Sequence, residues 1–303
     1  MLDKIIDKLF IKNWIIGITK FDKETVFKNG KIPTDFSWII NPDLNKFYAD
    51  PFIYKADDGT LYLFCEELNR KNFVGNIICL KLDSDFNIVN KAILLQNEFH
   101  FSYPFLIWFK SKLYIIPENS TSNKLVAYEF DEVNFSLKNP IEIFNTSLYD
   151  CTFLEYDSKF WIFGYSGDDK NKGELFVYFS NELFGTYHPH VLNPVKSGLD
   201  GCRPAGTFIR INDGIYRPSQ NNAKRYGNSI SMNKISILNE LEFREEFCFE
   251  LNSLNFPNGY ERLHTINFSG EYMVVDSTYS KFAPMTQLKR FLSLCIFKLV
   301  SFF

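Results

Sequence analysis

Three carboxylates, Asp50, Glu118 and Asp150, stand at the edges of short apolar runs: Ala49-Asp50-Pro51-Phe52-Ile53, Tyr114-Ile115-Ile116-Pro117-Glu118 and Tyr149-Asp150-Cys151-Thr152-Phe153. A carboxylate fixed at such an edge can bind a hydroxyl or serve as acid, base or nucleophile. Glu66, His100, Tyr103, Arg203, Arg217, Gln220, His264 and Asp276 occupy similar positions in other runs. Brought together, these carboxylates, guanidinium groups, imidazoles and phenol have the chemistry of a sugar site. A guanidinium among carboxylates also suits a phosphate or a sugar acid. Each group has a plainer reading. Asp50 and Asp150 fit Asx-type turns. Glu66 and Glu118 fit solvated strand ends, Arg203 and Arg217 fit structural ion pairs, and His100 and His264 fit donors to backbone carbonyls. His188-Pro189-His190 has no third ligand in register, so no metal is expected, and no cofactor.

The elements that would position these groups repeat. Phe47 to Glu67 reads as two strands joined by the turn Asp57-Asp58-Gly59. The same unit returns with starts at Tyr103, Asp150, Arg203 and His264, a period of roughly 50 residues, in the range of propeller blades. Glu66, Glu118, Gln220 and Asp276 close the second strand of their units. Strand starts and the ends of their antiparallel neighbours share one edge of a sheet. The expected fold is all-β: a five-bladed β-propeller whose strand ends from different blades converge on one mouth. Outer strands are expected at 75–82 and 88–95, 125–130 and 141–144, 174–179, and 229–237. A strand at 14–18 should complete the last blade and close the ring, leaving no exposed sheet edges. The expected organisation is an N-terminal arm over 1–13, a propeller over 14–283 and a short C-terminal helical tail over 284–303.

Composition agrees with buried sheets. Aromatic residues make up 17% of the 303, with 33 Phe, as strands packed between sheets require. A net charge of -3 gives no electrostatic case for nucleic acid. Six cysteines show no paired spacing and read as buried, reduced thiols of a cytoplasmic protein. Asp3, Lys4, Asp7 and Lys8 break up the first apolar residues, so no secretory signal is read there. The tail, Thr286-Gln287-Leu288-Lys289-Arg290-Phe291 onward, is apolar and basic. It reads either as a helix packed on the propeller or as one lying on the inner face of a membrane.

Tyr48-Ala49-Asp50-Pro51-Phe52, His100-Phe101-Ser102-Tyr103-Pro104-Phe105, Ile116-Pro117-Glu118, Arg203-Pro204-Ala205-Gly206, Tyr216-Arg217-Pro218-Ser219-Gln220, Tyr226-Gly227 and His264-Thr265 together resemble the N-terminal propeller of glucosamine inositolphosphorylceramide transferases. The resemblance covers roughly 14–280 and implies a role in surface-polysaccharide or glycoconjugate synthesis. In the plant members it assigns the transferase chemistry to a separate C-terminal domain. A more distant resemblance is to five-bladed glycoside hydrolases of arabinanase, xylosidase and invertase type. It implies that Asp50 is base or nucleophile and that Asp150 tunes a general acid. Where those enzymes carry the acid, this chain has Arg203, and an arginine does not release its proton near neutral pH. Glu118 is then the candidate second carboxylate. Alternatively the leaving group is a phosphate held by Arg203 and Arg217.

The expected ligand is thus a glycan, sugar-phosphate or nucleotide-sugar. Asp50, Glu118 and Asp150 are the expected catalytic groups. Glu66, His100, Tyr103, Arg203, Arg217, Gln220, His264 and Asp276 are the expected binding groups. Two alternatives stand beside glycosyl transfer: a non-catalytic propeller that positions a partner transferase, and a glycoside hydrolase.

Overall fold

The computed structural model of the protein describes residues 10–168, 172–257 and 259–285. It is a five-bladed β-propeller, one sheet to a blade. Blade one is Lys46–Lys55, Leu61–Asn69, Val74–Leu82 and Ile88–Leu95, paired in that order. Blade two is Ser102–Phe109, Lys112–Glu118, Lys124–Asp131 and Ser136–Asn145. Blade three is Tyr149–Tyr156, Lys159–Asp168 and Lys172–Ser180, with the short strands His188–Pro189 and Lys196–Ser197 on its outer edge. Blade four is Asp200–Pro204, Gly214–Asn221, Ser229–Leu238 and Phe243–Leu251, with Ile209–Ile211 beside Gly214–Asn221.

Blade five is built from both ends of the sequence. Ile266–Ser269 and Tyr272–Phe282 are joined by Phe10–Lys20 and then Ser37–Ile39. The N-terminal strand pairs antiparallel along its whole length, from Phe10 opposite Phe282 to Lys20 opposite Tyr272. Ring closure by an N-terminal strand is therefore present, and the strand begins four residues earlier than its apolar core at Trp14 suggests. Residues 10–13 belong to it and not to an arm. The remainder of the expected arm, residues 1–9, lies outside the described residues. So do residues 286–303 of the expected tail, and with them any contact between the tail and a membrane.

The ring-closing strand is buried on both faces from Asn13 to Thr19, as a sheet packed between two others requires. Ile11, Ile15, Ile16 and Ile18 are fully or almost fully buried, each worth about 2 kcal/mol of transfer free energy. Phe52, Phe64, Phe105 and Phe153 fill the space between blades one, two and three. A helix over Lys23–Asn29 links the two outer strands of blade five, started by the Asp22 carboxylate on the N–H groups of Glu24 and Thr25. Cys65, Cys79, Cys151 and Cys202 are buried free thiols, and Cys248 is exposed. No described helix is long and apolar enough to cross a membrane.

Candidate functional site

Asp50, Tyr103 and Asp150 share a backbone device. Their φ angles are 51°, 43° and 50°, left-handed values that cost a non-glycine residue roughly 1–3 kcal/mol. Each sits where the ladder with the next strand slips: between Ala49 and Phe52, Ser102 and Phe105, and Tyr149 and Thr152. Such a bulge frees an N–H from the ladder. Here the freed N–H donates to a carboxylate of the blade before it in the ring. Asp50 donates to Asp276 Oδ2 at 3.2 Å, Tyr103 to Asp50 Oδ2 at 3.3 Å, and Asp150 to Glu118 Oε2 at 3.0 Å. These hydrogen bonds to carboxyl oxygens offset the strain and stitch blades five, one, two and three in sequence.

Blade four breaks the pattern. Arg203 is not the left-handed residue there; Gly201 and Gly206 take φ of 80° and 136° instead. A Cβ on Gly206 would fall 1.9 Å from the Ile266 carbonyl, so only glycine lets blade four pass this close to blade five. The link from blade three is made by side chains. Asp150 Oδ2 accepts from Arg203 Nε at 2.6 Å and from Gln220 Nε2 at 3.1 Å.

These edges surround a cavity of about 630 Å³. Of the expected residues, Asp50, Glu66, His100, Glu118, Arg203 and His264 line it. Trp14, Phe47, Tyr149, Tyr165 and Tyr226 supply aromatic walls. The Arg203 guanidinium lies 5.4 to 5.7 Å from the rings of Tyr149, Tyr165 and Tyr226. The structure places Asp150, Tyr103, Gln220 and Asp276 behind this lining. The Tyr103 hydroxyl meets Thr152 Oγ1 and the Gly206 N–H, both at 2.8 Å, and Gln220 also donates to the Pro204 carbonyl. Arg217 is elsewhere. Its side chain reaches outward along blade four to a two-nitrogen pair with Glu245 and to the Gly201 carbonyl. An anion clamp made of Arg203 and Arg217 is therefore not assembled.

Burial dominates the electrostatics. It raises the Asp50 carboxyl to about 6, helped by Asp150 and Asp276 and opposed by His264 and Arg203. Glu66 and Glu118 are pushed well above the usual carboxylate range by burial and by neighbouring carboxylates. Glu66 Oε1 is buried without a hydrogen-bond partner, although His100 Nε2 stands 3.4 Å away. A Cβ on Gly75 would sit 2.4 Å from that oxygen and 3.0 Å from His100 Cε1, so Gly75 makes room for the pair. Burial lowers the His100 imidazole, with the Phe73 carbonyl opposing, and its Nδ1 accepts the Gly75 N–H at 3.1 Å.

The raised carboxyls carry a signed consequence for stability. The folded chain holds protons on Asp50, Glu66 and Glu118 to higher pH than the unfolded chain, whose carboxyls titrate near pH ~4. That contribution is complete below about pH 4 and is lost as pH rises through about 6 for Asp50 and higher for the two glutamates. The melting temperature should therefore be higher near pH ~5 than near pH ~8. Glu118→Gln keeps an acceptor for the Asp150 N–H and should flatten the slope. Equal slopes for the variant and the parent chain would contradict this assignment.

Asp50, His264 and Asp276 bring one ligand atom each within 4.8 Å of one another. A cation would have to displace existing partners: both Asp50 oxygens and both Asp276 oxygens already accept hydrogen bonds. Their arrangement is that of a hydrogen-bonded chain.

Tyr165 and Trp14 line the cavity although neither is among the polar groups that the sequence singles out. Tyr165 pairs with Tyr149 as Glu66 pairs with Ala49 and Glu118 with Ser102, so the repeat phase alone would have found it. Trp14 reaches the cavity because its strand closes the ring.

Residues 40–267 match the family described as glucosamine inositolphosphorylceramide transferase 1, N-terminal. The chain is 32% identical over 233 residues to glucosamine inositolphosphorylceramide transferase 1 of Arabidopsis thaliana, covering 73% of this chain and 30% of that protein. It is 30% identical over 210 residues to the protein of that name in Oryza sativa subsp. japonica, covering 66% and 28%. It thus spans about a third of the length of the relatives it matches. Among solved structures, the family 117 glycoside hydrolase Zg3597 of Zobellia galactanivorans superposes with a TM-score of 0.53 at 11% identity over 92% of both chains. The GH43 protein BlXynB of Bacillus licheniformis gives 0.52 at 13%, over 69% of this chain and 47% of that one. At such identities these two share the fold. The match across residues 40–267 carries more: the chain belongs to the family of glucosamine inositolphosphorylceramide transferase 1 N-terminal domains.

Proposed function

We propose that the cavity holds a glycosyl unit and that the chain acts in glycosyl transfer during glycoconjugate synthesis, with Asp50 as base. The observation that carries this reading is the lining itself. Carboxyls from blades one and two face aromatic walls from blades three and five and from Tyr226, the pairing that hydroxyls and sugar C–H faces require. Asp50 stands among them with an affinity for protons near neutrality, as a general base needs. The relatives' name adds glucosamine. An ammonium group suits this cavity, because Glu66 and Glu118 can give up their protons to meet a cation. Arg203 serves here as the partner of Asp150 and as a wall, without a second arginine to make a phosphate clamp.

Calorimetric titration with glucosamine and with N-acetylglucosamine tests the ligand class. The free amine should bind more tightly, and Glu66→Gln should shrink the difference. Equal affinities, or binding of neither, would count against the proposal. A second reading has its own support: Asp50, Glu118 and Asp150 all bond across blades. A propeller that binds sugar for a partner transferase needs those links and no base. Sugar binding with no turnover of any glycosyl donor would favour it.

A further inference from the structure

Asp50 comes from blade one, yet much of what surrounds its carboxylate comes from blade five. His264 Nε2 is 3.4 Å from Asp50 Oδ1, and Nδ1 is 2.5 Å from Asp276 Oδ2. The second contact is an ion-pair approach and not a straight hydrogen bond, since Nδ1 lacks one of good geometry. A neutral imidazole has one N–H and one lone pair, so between two carboxylates its lone pair would face one of them. The imidazolium presents N–H to both. Aromatic surroundings agree: Trp14 lies over the ring at 4.0 Å and 24°, and Tyr226 meets it at 5.3 Å and 70°. An indole face attracts a cation.

Asp276 is held in place by three backbone donors: the N–H groups of His264 at 3.1 Å, Thr265 at 3.0 Å and Asp50 at 3.2 Å. Its side chain has no exposed surface, so it acts on a ligand only through its neighbours. Thr265 Oγ1 donates to Asp50 Oδ1 at 3.0 Å. The strained backbone of Asp50 is thus tied to the same carboxylate that holds the histidine, and the loop closes.

We infer that Asp276 and His264 act in series, Asp276 holding His264 as an imidazolium and the imidazolium keeping the Asp50 carboxylate ionised and ready to accept a proton; no proton passes along this relay. The role of Asp50 as base rests on the sugar-site reading; the relay itself does not. Burial drives Asp50 toward the neutral acid, and the charges of Asp150 and Asp276 push the same way. His264 opposes them most strongly, Arg203 next. Across the cavity, the Asp50 charge in turn pushes the Glu66 carboxyl up. Burial and Arg203 also act against the imidazolium, but Asp276 and Asp50 outweigh them and leave His264 raised. In the transfer step the acceptor hydroxyl gives its proton to Asp50 as its oxygen bonds to the anomeric carbon. The bond to the leaving group breaks with the electron pair staying on that group. His264 keeps both protons throughout, so His264 and Asp276 are positioning residues.

The test needs no substrate. Imidazole nitrogen spectra of the whole chain should show His264 doubly protonated at about pH 7, and neutral in Asp276→Asn. Carboxyl carbon spectra, with Asp50 assigned by its loss in Asp50→Asn, should show the Asp50 midpoint move up by about one unit in Asp276→Asn, because losing the imidazolium, the larger influence on Asp50, outweighs losing the Asp276 charge that pushes the other way. That is a tenfold smaller ionised fraction below the midpoint. A neutral His264 in the parent chain, or an Asp50 midpoint that stays put, overturns the relay. Should Asp276→Asn fail to fold, the parent spectrum decides alone. Both spectral results as expected, with no sugar bound, would sink the sugar site and leave the relay standing.

Discussion

Asp50→Asn should lower turnover of a glycosyl donor by about a thousandfold while leaving sugar affinity nearly unchanged. The variant isolates chemistry from structure. Asparagine tolerates the left-handed backbone that Asp50 adopts at φ 51°. Its carbonyl oxygen can still accept from the Tyr103 N–H or from Thr265 Oγ1, the two donors that hold the carboxylate. What it cannot do is take a proton. The fold should survive with a modest fall in melting temperature, because the new amide N–H₂ obliges the Thr265 hydroxyl to turn from donor to acceptor and the charge facing His264 is lost. Steady-state kinetics with a glycosyl donor give the readout. A kcat within about tenfold of the parent would move the base elsewhere, with Glu66 next in line because its Oε1 is buried without a hydrogen-bond partner, 3.4 Å from His100 Nε2.

Deleting residues 10–20 should abolish cooperative melting or lower the melting temperature by more than about 20 °C. Among the described residues, the strand they form is the one partner of Tyr272–Phe282 on its outer side, and it carries Ser37–Ile39 with it. It also holds blade five to blade one, through Asn13 Nδ2 on the Leu44 and Lys46 carbonyls at 3.3 Å. Removing four buried isoleucines alone forfeits about 8 kcal/mol, comparable with the whole stability of an ordinary domain. The same deletion removes Trp14 from the cavity wall. Differential scanning calorimetry decides, and an unchanged transition would show that the ring does not depend on this closure.

Much of this architecture is legible in the sequence because propeller repetition is a phase. Once Asp50, Tyr103 and Asp150 are aligned, the positions of Glu66, Glu118 and Tyr165 follow from antiparallel pairing, and the outer strands fall within a few residues of their expected bounds. Phase fails where side-chain reach decides. Arg217 belongs to a strand that contributes to the site's surroundings, but its long side chain finds Glu245 two strands outward. Asp276 and Gln220 have the right phase and the wrong depth: both are buried behind the residues they hold. Blade four resists the alignment because Gly201 and Gly206 supply its unusual backbone where blades one to three use Asp or Tyr. The start of the first strand is hidden for another reason: Phe10 and Ile11 are claimed by pairing with Phe282 and Lys281, a contact about 270 residues distant that no local pattern encodes.

If edges from five blades make one sugar-binding cavity, a crystal of the chain soaked with glucosamine should hold a sugar ring beside Asp50 and Glu66, with Trp14 or Tyr226 against one face. A saturating soak that leaves this cavity without sugar, while glucosamine binds the chain in solution at some other surface, would contradict it.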